Sequence, residues 1–330
     1  MGGEVRYLAR FLSMVRNPMQ RQERMFMKVD VIIPVYRPGE EFREMLKRLE
    51  SQTVPVHKII IMNTKAGEFP RAYVEGRSNI EVFHLEPSEF DHGGTRNAGA
   101  GKSEADYLLF LTQDALPADV HLIENLLKAF ENPKVKAAYA RQLPKADCKE
   151  LERYTRSFNY PEQGRVKTGD DLQKLGIKTF FCSNVCAMYE RKTYLEQGGF
   201  VSPTIFNEDM IYAGGLIQKG YAIAYVAEAL VYHSHNYNGS EQLRRNFDLA
   251  VSQVNHPEIF QGIASESEGI RLVKQTAAYC FRIRKPWLIF GLVFSSGCKY
   301  MGYKLGRSYK KLPSWVIRAC TMNPAYWQHS

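Results

Sequence analysis

The stretch VDVIIPVYRPGEEFREMLKRLESQTVPVHKIIIMN, Val29 to Asn63, decides the fold. Its opening run, VDVIIPVY, is largely apolar and β-rich, the pattern of a parallel strand covered on both faces. The polar turn RPGE ends that run. EEFREMLKRLESQ then sets Phe42, Met45, Leu46 and Leu49 at helical spacing, and HKIIIMN reads as the next buried strand. The stretch is a βαβ unit. Further along come IEVFHL, a Gly-rich helix beginning near HGGTRN, YLLFLT, a helix from about Asp119 to Phe130, and VKAAYA. Strands alternating with helices predict an α/β fold with an open, mostly parallel, doubly wound sheet, whose ligands sit at the carboxyl ends of its strands.

Charge is unevenly distributed. The chain of 330 residues holds 44 Lys and Arg against 35 Asp and Glu, yet Gly269 to Ser330 contains 11 basic residues and no acidic one. The net charge of +9 therefore belongs to the C-terminal region, and the rest is nearly neutral. There the run PWLIFGLVFSSGC between Lys285 and Lys299 is too short to span a bilayer, which needs about 20 apolar residues. Its basic flanks, interleaved with Trp287, Tyr300, Tyr303 and Trp315, fit a segment lying on an anionic membrane surface better than a nucleic-acid patch or a solvated basic helix face. The chain divides into an amphipathic segment 1–28, an α/β domain 29–260 and a basic, aromatic helical tail 261–330. At the N-terminus Val5, Leu8, Leu12 and Val15 recur at helical spacing, and Arg6, Arg10 and Arg16 break any signal-peptide core. That segment suits a membrane surface and a helix docked on the protein equally well. Six scattered cysteines point to a reducing compartment, with Cys182 and Cys186 read as buried small residues rather than metal ligands.

The carboxyl ends of the strands supply PVYRPG, MNTKAG, EPSEFDHGGTRN and TQDALP, enough for a nucleotide-sized crevice. Pro34, Val35, Tyr36 and Arg37 can wrap a base and ribose. The helix start around His92, Gly93 and Gly94 offers N–H groups to a diphosphate, unless those glycines only permit close packing. Arg96 adds a fork of donors. Neither GxGxxG nor GxxxxGK[ST] is present, so the dehydrogenase and P-loop fingerprints are absent. Asp114, after LLFLT, is placed where a hard cation bridges it to a diphosphate, although a turn or helix cap is the plainer role. His233 and His235, two apart, fall on one face of a strand, where packing is the plainer role and a metal the alternative, and Glu208 and Asp209 open a helix, where the plainer role is favourable charge at its N-terminus.

In order, IIPVY, FDHGGTRNAG, FLTQDALP, FCSNVCAMYERKTYLEQGGF, NEDMIYA and VYHSHNYN resemble glycosyltransferase family 2, of the GT-A fold, and within it the bacterial rhamnosyltransferase branch. The resemblance runs from about Val29 to Asn238, and the tail ending in MNPAYW is similar to those of rhamnosyltransferases that build cell-wall or surface polysaccharides. It implies a nucleotide-sugar site at Pro34, Val35, Tyr36, Asn63, His92, Gly93, Gly94, Arg96, Asn97 and Gln113. It implies Asp209 as catalytic base, with Ser183, Asn184 and Glu208 near the sugar or acceptor. Asp114 becomes the last Asp of the metal motif, with His235 as a further ligand to Mg²⁺ or Mn²⁺. The motif's first position is Thr112, and Asn63 stands where the base-contacting Asp is usual.

A sugar nucleotide carries its own leaving group, so one carboxylate suffices to deprotonate an acceptor hydroxyl that attacks from the opposite face and inverts the anomeric carbon. A glycosidase needs two. The resemblance implies dTDP-L-rhamnose as donor and a lipid-linked saccharide as acceptor, with no nucleic acid as partner. It also implies a cytoplasmic protein held peripherally at the inner face of the membrane. The competing readings are a catalytically silent nucleotide-sugar-binding partner of another transferase, a transferase using a different nucleotide sugar, and a nucleotidyltransferase.

Overall fold

The computed structural model describes residues 27–263 and 266–328. The expected amphipathic helix Val5 to Val15 lies outside the described residues. In chain order the elements are β1 (Val29–Tyr36), α1 (Glu40–Glu50), β2 (Lys58–Thr64), β3 (Ile80–Leu85), α2 (His92–Ala100), β4 (Tyr107–Leu111), β5 (Leu116–Pro117) and α3 (Leu122–Lys128). There follow β6 (Val135–Leu143), α4 (Glu150–Asn159), β7 (Arg165–Lys167), β8 (Cys186–Glu190), α5 (Arg191–Glu196), α6 (Glu208–Gln218) and β9 (Ala222–Tyr232). The longer helices that follow among the described residues are α7 (Gly239–Asn255), α8 (Glu266–Arg282), α9 (Leu288–Arg307) and α10 (Ser314–Cys320).

The strands form one nine-stranded sheet in the order β3-β2-β1-β4-β8-β6-β9-β5, with β7 paired to β9. Its first half is the expected parallel array, β3, β2, β1 and β4. Its second half is mixed: β8 runs antiparallel to both β4 and β6, β6 and β9 are parallel, and β5 and β7 are antiparallel to β9. A buried apolar strand reads the same in either direction, so the sequence shows the strand and not its sense.

Both faces of the sheet are covered, which explains the unbroken apolar character of β1. Val31, Ile33 and Val35 point into a core shared with α1 and α3. Ile32 points the other way, into a core with Phe110, Tyr189, Tyr194, Phe200 and Tyr212, whose rings meet at centroid separations of 5.0 to 5.9 Å. Helix α2 lies hard against the sheet, since a Cβ on Gly99 would meet Ile32 Cγ2 at 2.5 Å. Cys182 and Cys186 are buried free thiols, and burial pushes the Cys182 thiol up to about 12.

Two details differ from expectation. The third helix starts at Leu122 rather than near Asp119, because Asp119 turns the chain by accepting the His121 N–H at 2.7 Å. Strand β9 stops at Tyr232, so His233 and His235 lie just beyond the strand instead of on it. The C-terminal helices pack on the sheet domain: α9 runs along α7, and Phe247 and Val251 of α7 join Leu305, Tyr309 and Trp327 in a third apolar cluster. Among the described residues no helix is long and apolar enough to cross a membrane.

Candidate active site

A cleft of about 1520 Å³ opens where the carboxyl ends of the central strands meet α4, α6, α7, α8 and α9. Single ligands occupy roughly 300–1,000 Å³, so two substrates fit together. His92, Arg96, Asp114, Ser183, Asn184, Glu208, Asp209 and His235 all line it. Eight expected site residues therefore converge although they come from five separate segments of the chain.

At one end lie Asp114, His233 and His235, whose ligating atoms fall within 4.8 Å of one another. Nε2 of His233 is 3.5 Å and Nε2 of His235 is 3.3 Å from the same Asp114 carboxylate oxygen. Burial works against ionisation of Asp114, but the hydrogen bond and charge of His233 and the charge of His235, which act when those rings are protonated, hold it well below the usual carboxylate range. Burial depresses both histidines in turn, His235 to about 4, leaving them neutral at neutral pH. The tautomer of His233 is fixed from behind. Gln142 directs its Nε2 to Ser183 Oγ at 3.0 Å, so its Oε1 faces His233 Nδ1 at 3.0 Å and also accepts from Arg156. With the proton on Nδ1, the Nε2 lone pair points at an ionised carboxylate. Two acceptors facing each other, with a third from His235, form a site that wants a cation, and the Gln142–His233 contact is the kind that orients a metal ligand. Mixed imidazole and carboxylate donors suit Mn²⁺ better than Mg²⁺, which prefers oxygen alone. His233 is a ligand candidate that the resemblance did not supply; its spacing from His235 was the available signal.

Deeper in the cleft, α6 begins at Glu208 after Asn207, whose φ of 65° is one Asn tolerates better than most residues. This abrupt entry brings two consecutive carboxylates to the same place in different surroundings. Glu208 is buried, receives Asn184 Nδ2 at 3.1 Å and lies 3.2 Å from Arg96 Nη1. Burial pushes Glu208 up, but the charges of Arg96 and His92 outweigh it and keep the carboxyl below its usual range. Asp209 keeps part of its surface open to the cleft and accepts N–H bonds from Asn184 at 3.0 Å and Met210 at 2.8 Å. Its protein surroundings, and then the repulsion of Glu208, raise it to about 7. A carboxylate that reaches a cleft and titrates near neutrality is suited to general-base work.

Several expected nucleotide contacts are already engaged inside the protein. Arg96 pairs with Glu208 and donates to the His92 carbonyl at 2.8 Å. The Gly94 N–H donates to Asp91 Oδ1 at 2.6 Å, so the start of α2 is capped by the chain's own carboxylate. A Cβ on Gly93 would strike the Val201 carbonyl, so close packing accounts for that glycine. Asn97 clamps the turn after α5, accepting from Tyr194 Oη at 2.5 Å and the Phe200 N–H at 2.9 Å while donating to the Phe200 carbonyl at 2.8 Å. Asn63 is buried and paired with His84 Nδ1 at 3.0 Å. Gln113 makes two 2.9 Å bonds with the Tyr36 backbone, fixing the end of β1. Pro34 and Val35 are strand residues, and Tyr36 is exposed at the sheet edge.

The family model for Glycosyl transferase family 2 matches residues 30–197. The chain is 37% identical over 305 residues to an O-antigen chain rhamnosyltransferase, RfbN, of Salmonella typhimurium, covering 92% of this chain and 97% of the relative. It is 36% identical over 302 residues to the O-antigen chain rhamnosyltransferase WbaN of Salmonella anatum, covering 91% and 95%. Among solved structures, a mannosyltransferase from Pyrobaculum calidifontis in complex with GDP-Man and Mn²⁺ superposes with a TM-score of 0.56 at 15% identity, covering 92% of this chain and 88% of that one. Residues 1–349 of TarS from S. aureus, in complex with UDP-GlcNAc, give 0.52 at 14% identity, covering 86% and 92%. The half-parallel, half-mixed sheet with its cleft at the strand ends is thus the GT-A architecture, and the chain belongs to glycosyltransferase family 2.

Proposed function

We propose that this glycosyltransferase moves L-rhamnose from dTDP-L-rhamnose to a hydroxyl of a lipid-linked saccharide, with inversion, in surface polysaccharide synthesis. The observation that carries the reading is Asp209, a single cleft carboxylate raised to about 7 in the same cavity as Asp114, His233 and His235. The donor identity is supported by the two rhamnosyltransferase relatives that match almost the whole chain.

In this mechanism Asp209 accepts the proton of the acceptor hydroxyl as its oxygen attacks the anomeric carbon. The Asn184 and Met210 N–H groups hold the carboxylate in place, and Asn184 is itself held by Tyr189 Oη at 2.9 Å. Glu208, held ionised by its ion pair with Arg96, keeps Asp209 basic through its negative charge. Asp114, His233 and His235 would hold the divalent cation, which when bound neutralises charge building on the departing diphosphate. The lipid part of the acceptor places the protein on the membrane surface. Support comes from α9 and Trp287 just before it: Trp287, Phe290, Val293, Phe294, Tyr300 and Met301 are exposed, and the same helix carries the exposed Lys304 and Arg307.

The test is to offer the full chain dTDP-rhamnose, UDP-GlcNAc and GDP-mannose, with and without Mn²⁺, together with lipid-linked saccharide. Consumption of dTDP-rhamnose alone, abolished by Asp209→Asn, is the expected result. Preferential use of another donor overturns the donor assignment, and consumption of none favours a silent binding partner.

A further inference from the structure

The cleft carries more positive charge than its donor end uses. Arg156 of α4, Arg245 of α7 and Lys299 of α9 all line it. Two carboxylates of α4 line this side, and both are engaged: Glu152 by Arg156, whose Nε lies 2.7 Å away, and Glu150 by Lys285 at 3.2 Å and Tyr279 Oη at 2.5 Å. Among the described residues no carboxylate lies within ion-pair distance of Arg245 or Lys299. The Arg245 guanidinium is held by rings instead, 4.6 Å from the centroid of Phe206 and 5.7 Å from that of Tyr237. That arrangement fixes its plane and leaves its N–H fork available. Lys299 is half-buried. Burial depresses its ammonium, and the charges of Arg245 and Arg156 add to that effect against the pull of Glu152. A cation withdrawn from water without a partner is costly, so like charges gathered from three helices, two of them without an ion-pair partner, mark a place prepared for an anion.

The surroundings say what kind of anion. Lys299 stands on the helix that forms the apolar wall of the cleft: Leu288 and Leu292 line it, and Phe294 and Tyr300 line it while remaining exposed at its mouth. Phe290, 82% exposed, and Val293 continue the apolar surface outward from that mouth. An anionic group held at Lys299 would therefore have an apolar path from the cleft to the outside of α9. Arg245 borders the donor end, since its ring partner Tyr237 stacks on His235 at 5.1 Å, whereas Lys299 stands on the α9 wall of the cleft.

We propose that Lys299, with Arg245, forms a subsite for the phosphate or diphosphate of a prenyl-type lipid, with α9 guiding the lipid chain out of the cleft. The inference deepens the acceptor reading given above and rests on it for biological meaning, but binding can be tested without transfer.

The probes are farnesyl diphosphate, farnesol and inorganic pyrophosphate, titrated calorimetrically into the full-length chain, with dTDP, UDP and GDP as competitors. Farnesyl diphosphate is expected to bind, farnesol and pyrophosphate much more weakly, because both halves of the ligand are recognised. Lys299→Gln and Lys299→Met are each expected to weaken farnesyl diphosphate about tenfold or more, as for loss of a charged hydrogen-bond partner. Lys299→Arg should restore most of that loss, and nucleoside diphosphate affinity should stay unchanged in all three variants. In transfer assays the same variants should raise KM for a diphosphate-linked acceptor and leave a phosphate-free glycoside acceptor unaffected. Competition by a nucleoside diphosphate, with equal weakening of that ligand by Lys299→Gln, assigns the cluster to the donor's phosphates and overturns the proposal. Absence of farnesyl diphosphate binding to the wild-type chain, or binding indifferent to all Lys299 variants, also overturns it. Binding as expected in a chain that does not consume dTDP-rhamnose would leave the subsite standing and remove only the donor assignment.

Discussion

Asp209 and Glu208 are neighbours in the chain and opposites in their surroundings, and titration separates them. If Asp209 is the base, the rate of transfer should rise with pH through about 7 and level off above it. Asp209→Asn should lower kcat by about 10²–10⁴-fold with donor affinity little changed, and near-normal turnover would remove the residue from its role. Glu208→Gln removes the repulsion that raises Asp209 and leaves Arg96 to attract it, so the acid limb of the profile should move to lower pH. Stability gives an independent check. A carboxyl whose folded pKa is raised contributes most below its unfolded value, and that contribution is lost as pH rises through about 7. Asp209→Asn should therefore raise Tm more in mildly alkaline buffer than in mildly acidic buffer. At the metal end, Gln142→Ala frees the His233 tautomer and should weaken Mn²⁺ binding by about 10–100-fold, read by titration calorimetry or by the Mn²⁺ resonance signal. Asp114, His235 and Asp209 can be picked out in the sequence as candidates because each sits in a short local pattern. Gln142 was not, because it meets His233 across 91 positions of chain, and no local spacing carries that contact. Arg96 and Asn97 were legible as members of a helix start, but which way they face is decided by Glu208 and by the Phe200 turn, both more than a hundred residues away.

Helix α9 shows how an element can be read correctly as a helix and incompletely as to what it touches. The basic, aromatic stretch around it predicts a surface helix, and its outer side is exposed as such a helix should be. Its inner side carries Gly302 and Gly306, four apart, and a Cβ on either would run into the backbone carbonyls of Leu243 and Phe247, also four apart, on α7. Glycines at that spacing let two helices approach until backbone meets backbone, which larger residues would prevent. The pair was present in the sequence as GYKLG, but a glycine pair does not name its partner. Gly302→Val should push α9 from α7 and destabilise the chain by about 1–3 kcal/mol, read as a lower denaturant midpoint. Because α9 also forms a wall of the cleft, the same change should raise acceptor KM, whereas Gly297→Val, at a position with open space around it, should do neither. Equal effects of the two substitutions would mean that helix propensity alone is responsible.

The whole molecule is polarised: a nearly neutral α/β body holds the donor end of the cleft, and the positive charge is concentrated in the helices that form its other wall. The apolar stripe on α9 and the basic residues around it face outward together, so a membrane can be met at the mouth of the cleft without any helix crossing it. Two forces would then add, one screened by salt and one not. Each basic residue that reaches an anionic surface is worth about 1 kcal/mol at low salt, and burying a phenylalanine side chain about 1.5–3 kcal/mol. Phe290 is the side chain to alter, because it is highly exposed and is not among the residues lining the cleft. Phe290→Ser should weaken binding to vesicles containing anionic lipid by about tenfold or more, measured by co-sedimentation, and the deficit should persist when salt is raised. Nucleoside diphosphate binding should be unchanged, since Phe290 does not line the cleft. Reversing charge at Lys310 and Lys311 should instead produce a deficit that shrinks as salt is raised, because screening removes the electrostatic attraction from wild type and variant alike. If Phe290→Ser binds vesicles as tightly as wild type, α9 is not the membrane contact, and the Val5 to Val15 segment becomes the surface to test.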